Sequence, residues 1–96
     1  MNAVAAVERW ADVVKAHLSF AARIYTREQI LQVAQESGLT LGDDGENTAQ
    51  SYEDAARYIG AVRTVLGETA FVSAKLTAMN KARTLGLRPP GSRWFT

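Results

Sequence analysis

Two apolar seams run side by side through the first quarter of the chain. Val4, Val7, Ala11, Val14, Leu18, Ala21 and Tyr25 recur at steps of three and four, and Ala6, Trp10, Val13, His17, Phe20 and Ile24 form a second row beside them. That spacing is the period of a helix face. It predicts a helix over residues 3–24, roughly 33 Å long at 1.5 Å per residue. Polar residues are confined to Glu8, Asp12, Lys15, Ser19 and Arg23. The apolar face is wider than one packing surface needs. One seam serves the chain's own core, and the other must be covered by the last helix or by a second copy of the protein.

Thr26 followed by Gln29 has the spacing of a capping box. It opens a second helix with Ile30, Leu31, Val33 and Ala34 turned inward, and Gly38 closes it, with Leu39 as the hydrophobic contact of the cap. "TLGDDGENTAQ" then reads as a flexible, solvated loop. Ser51 with Asp54 marks a third helix start. Tyr52, Ala55, Ala56, Ile59, Val62 and Leu66 keep the helical period, and it resumes through Phe71, Ala74, Ala78, Ala82 and Leu85. Gly67 lies between the two runs. With no turn cluster there, the pattern favours one long helix through Gly67, with a break at Gly67 as the alternative. A stripe of small residues, Ala56, Gly60, Gly67, Ala74, Ala78 and Ala82, would let a neighbouring helix come close. Gly86 is the natural cap, and Pro89 and Pro90 forbid continuation. No strand pattern occurs. The predicted fold is all-α: a small bundle of three or four helices over residues 1–86, followed by an extended tail over residues 87–96.

Composition adds limits. Ninety-six residues with 47% apolar content suit one folded domain. The absence of cysteine excludes a disulfide framework and thiolate metal sites. With no signal segment in "MNAVAAVERW" and no uncharged apolar run near the ~20 residues that cross a bilayer, the expected setting is the cytoplasm, away from membranes. The abundance of Ala and Arg over Lys suits a GC-rich bacterial or phage genome. The net charge of +1 hides two blocks. Seven carboxylates (Glu28, Glu36, Asp43, Asp44, Glu46, Glu53 and Asp54) lie in a stretch without Lys or Arg, whereas only cations, Lys75, Lys81, Arg83, Arg88 and Arg93, follow Glu68. Blocks of opposite sign attract each other within or between subunits, and a basic end suits an acidic partner or nucleic acid.

Candidate chemistry is sparse. His17 is the one histidine, and the "HLSFAA" around it lacks the Lys and Gly that follow the histidine in histidine phosphotransfer domains. It reads as a packing residue, and it has no second His or Cys to complete a metal site. "GDDGEN" fails the calcium-loop spacing: counting from Asp43, the sixth residue is Thr48 instead of Gly and the twelfth is Asp54 instead of Glu. "ILQVAQESGLT" resembles the first half of a helix-turn-helix, but a long loop and an acidic "SYED" start follow it. No nucleophile with a base and no phosphate loop is present. The expectation is therefore a non-enzymatic protein with no cofactor and no metal.

The tail "GLRPPGSRWFT" is the remaining feature. Its two prolines favour an extended path, and it carries Arg88, Arg93, Trp94 and Phe95. Arg and Trp are prominent among the residues that dominate interfaces. Two arrangements are open: the aromatics close the chain's own core, or they dock on a partner. The sequence is read as a protein–protein interaction module (an adaptor, assembly subunit or small phage- or plasmid-type inhibitor), with a homo-oligomer expected. Its contacts are Val7, Trp10, Val14 and Leu18 on the first helix and Arg88, Arg93, Trp94 and Phe95 in the tail. The alternative is nucleic-acid binding through Lys75, Lys81, Arg83, Arg88 and Arg93.

Overall fold

The computed structural model describes residues 3–42 and 44–95, with the backbone alone for residues 3–8 and Ser92. Four helices follow one another: α1 (Ala3–Ala21), α2 (Arg27–Ser37), α3 (Tyr52–Leu66) and α4 (Glu68–Leu85); a short 3-10 turn, Pro90–Ser92, lies in the tail. The all-α expectation holds. No helix among the described residues is long and apolar enough to cross a membrane.

Local chemistry sets most boundaries. α1 ends at Ala21 instead of reaching residue 24, because the chain tightens into turns in which Arg23 and Ile24 N–H donate to the Phe20 and Ala21 carbonyls three residues back. The Thr26 hydroxyl accepts from Gln29 N–H at 3.1 Å while the Gln29 side chain accepts from Thr26 N–H at 2.9 Å, completing the capping box of α2. Gly38 takes φ 77, and Leu39 N–H returns to the Ala34 carbonyl as Leu39 buries itself. The segment from Leu39 to Gln50 is not the flexible loop its composition suggests. Leu41 and Asn47 form an antiparallel bridge, and the Asn47 amide donates to the carbonyls of Ala11 and Gly45 while its oxygen accepts from Ala49 N–H. One asparagine therefore ties the loop to the side of α1. Asp43 lies outside the described residues.

The largest departure is at Gly67. The chain does not continue as one helix; a single residue with φ 100 and ψ 177 separates α3 from α4. That backbone region belongs to glycine almost alone. The cause is the direction of the apolar faces. Val62 and Ala78 are both fully buried. On an uninterrupted helix they would sit about 160° apart at 3.6 residues per turn. One chain has no second core for the far side, so the helix folds back and the two faces meet. The Arg63 guanidinium clasps the junction, bonding both carboxylate oxygens of Glu68 at 2.9 and 3.1 Å and lying 3.9 Å from the centre of the Phe71 ring.

α4 packs against both α1 and α3, and α2 lies on α3. Trp10 meets Tyr52 edge-on at 5.6 Å and His17 meets Tyr58 at 5.5 Å, so α1 and α3 run in the same direction. Trp10, Val13, Val14 and Leu18 join Val33, Ile59, Val62 and Phe71 in one core. Ala74, Ala78 and Ala82 are buried and allow the close approach of α4, as the small-residue stripe predicts. Gly60 and Gly67, by contrast, are exposed and take no part in that approach.

Candidate functional site: a basic aromatic recess at the end of α4

Gly86, with φ 78, caps α4, and Leu87 N–H donates back to the Ala82 carbonyl at 2.8 Å. Pro89 is extended and buried, and the chain turns at Pro90–Ser92 with Gly91 at φ 63. The prolines stop the helix as expected, but they do not project the tip outward. The turn sends it back onto the bundle. Phe95 is 1% exposed, stacks on Tyr52 with centroids 5.2 Å apart, and donates its N–H to the Tyr52 hydroxyl at 2.6 Å. Phe95 holds a positive φ of 38, which is costly for a bulky residue. Burial of its ring and the bond to Tyr52 offset that cost.

Phe95 is thus a core residue, and its expected role as a partner contact is corrected. It positions its neighbour. Trp94 is half-buried, with its ring 5.8 Å from that of Phe95 and the Arg83 guanidinium 5.5 Å from its centre. Arg83, Gly86, Leu87, Arg88 and Trp94 line an open recess of about 410 Å3. Arg83, Arg88 and Arg93 are all exposed. Among the described residues the ion pairs are Arg57–Asp54 and Arg63–Glu68, and neither involves these three arginines.

The other predicted contacts fall elsewhere. Trp10, Val14 and Leu18 are 8%, 1% and 4% exposed and belong to the chain's own core, so they offer no outer face to a partner. The middle of both seams, Trp10, Val13, Val14, His17 and Leu18, is covered from within, and the loop that Asn47 anchors lies beside it; Phe20 and Ile24, at the end of one seam, are 40% and 57% exposed. Val7 lies among the residues whose side chains are outside the described set. The alternative basic row also divides. Lys75 sits 5.7 Å from the Phe71 ring centre, near Arg63, while Lys81 lies over α1 beside Asp12, Lys15 and Ser19. Of the row, Arg83 and Arg88 line the recess with Trp94, and Arg93 precedes it in the chain.

A surface that the periodicity hid lies on α4. Val72 and Leu76 are 48% and 55% exposed. Val72, Leu76 and Arg83 are spaced by four and seven residues, so they form one outward stripe about 17 Å long that runs toward the recess. Their exposure was concealed because Val72 and Leu76 interleave with the apolar run that fills the core. A smaller groove of about 220 Å3, lined by Leu18, Ala22, Tyr25, Arg27, Ile30 and Leu31 among others, lies at the opposite end of α1.

His17 is 1% exposed and its Nδ1 lies 2.6 Å from the Tyr58 hydroxyl. Burial pushes the imidazole pKa down to about 4 and raises that of the phenol. Both groups are neutral at pH 7 and share one hydrogen bond. This is a satisfied core pair with no access for a phosphoryl donor. No family model, curated protein or solved structure matches this chain.

Proposed function

We propose that the protein is a non-enzymatic binding module, an adaptor, assembly subunit or small inhibitor, that grips an acidic, partly apolar segment of a protein partner. The outer stripe of α4 and the recess at its end form the contact surface. The observation that carries this reading is the alignment of exposed Val72 and Leu76 with Arg83, Arg88, Arg93 and Trp94. Apolar side chains on a helix face suit an amphipathic partner segment. Guanidinium forks suit carboxylates, and a half-buried Trp suits a central anchor. The apolar helix face is therefore on α4, where the sequence alone suggests α1.

Nucleic acid is the second reading, favoured by the nearness of Trp94 to exposed arginines. Lysines on two other sides of α4 give it no continuous track. Affinity capture from a lysate of the source cell, with and without nuclease, separates the two. The expected result is a protein retained after nuclease and lost with Leu76→Ser or Trp94→Ala. Capture that vanishes on nuclease treatment would establish the nucleic-acid reading instead.

A further inference from the structure

The junction between α3 and α4 consists of Gly67 alone. It closes the hairpin in a conformation that no residue with a side chain readily adopts. α4 also begins without a side-chain cap. On a straight helix the N–H groups of Glu68, Thr69 and Ala70 would donate to the carbonyls of Thr64, Val65 and Leu66 by the ordinary i to i−4 rule. Straightening thus gains backbone hydrogen bonds that the hairpin forgoes. It loses the Arg63 clasp on Glu68 and Phe71, of which the Arg63–Glu68 ion pair is exposed and weak.

A straightened chain has two apolar faces pointing in nearly opposite directions, that of α3 around Val62 and that of α4 around Ala78. The α3 face remains covered by α1 and α2 of its own chain. The α4 face points away from them and fits one surface on the page: the α1–α3 surface of a second straightened copy, which has lost its own α4. We infer that this protein forms a homodimer by exchanging α4 and the tail, with Gly67 as the hinge. Each α4 then packs on α1 and α3 of the other chain, and each Phe95 stacks on the other chain's Tyr52. The contacts are those of the closed chain, made between copies, which is why exchange of an element is a low-cost route to dimers. The recess that holds Trp94, built wholly from the exchanged segment, would then be seated on the other chain. This inference stands apart from the proposed partner surface, because Val72, Leu76 and the three arginines stay outward in either form.

Light scattering after refolding at high concentration provides the test. The wild type should give a fraction at twice the 10.5 kDa chain mass, and Arg63→Ala should raise that fraction. Gly67→Ala, which disfavours the hairpin, should be mainly dimeric with undiminished helical circular dichroism. Three flexible residues inserted after Gly67 should restore the monomer, whereas an ordinary surface dimer would survive the insertion. The inference is overturned by a Gly67→Ala monomer that melts cooperatively, or by an insertion variant that dimerises as readily as the wild type. Should Gly67→Ala fail to fold, an Arg63→Ala dimer fraction no larger than that of the wild type overturns it equally.

Discussion

His17 and Tyr58 show how one buried pair ties stability to pH. The folded imidazole protonates only near pH 4, against about 6.5 for an unperturbed histidine. Between those values the unfolded chain takes up a proton that the folded chain refuses. Stability should therefore fall as pH drops from about 6.5 to about 4, by up to about 3 kcal/mol, and the loss from this group should level off below that. Thermal melts of the wild type and His17→Gln across this window check it: the variant should show the shallower acid slope. Gly60 gives a prediction of opposite sign. It lies inside α3, exposed, with open space where a Cβ would stand. Gly60→Ala should raise stability by roughly 0.5–1 kcal/mol in a denaturant titration, because alanine loses less backbone freedom on forming helix.

At the scale of elements, the tail decides between a lid and a free arm. Phe95 fills a core position against Tyr52, so Phe95→Ala should cost about 3 kcal/mol, as for other buried aromatics cut to alanine. Deleting residues 92–96 should lower the melting temperature and broaden the transition, instead of leaving the fold untouched. The helices themselves were legible in the sequence, because Thr26, Ser51, Gly38 and Gly86 are cap residues whose chemistry acts locally. The break at Gly67 stood only as an alternative, because the seven-residue spacing of Gly60, Gly67 and Ala74 imitates continuity across it and masks the swing of about 160° in the apolar face. The loop tie through Asn47 and the return of the tail onto Tyr52 were not legible. Both join residues more than thirty-five positions apart, and periodicity carries no information about which distant partner a side chain meets.

For the whole molecule, the bundle buries the α1 residues Trp10, Val14 and Leu18, so the proposed recognition surface lies elsewhere. Outside lie the α4 stripe and the arginines near Trp94, whose neighbour Phe95 is buried in the core, together with a separate exposed group of Phe20, Ile24 and Leu31. The candidate site was half legible. Arg83, Arg88, Arg93 and Trp94 stand out in the sequence, whereas Val72 and Leu76 join them only once α4 is seen to turn that side to solvent. The most direct measurement is the affinity of the captured partner for the wild type and for Trp94→Ala, titrated at low and high salt. A Trp anchor is worth ~2 kcal/mol or more, about a thirtyfold loss of affinity. The account predicts that loss at both salt concentrations, with the melting temperature of the variant close to that of the wild type. Unchanged affinity in Trp94→Ala at both salt concentrations would contradict it.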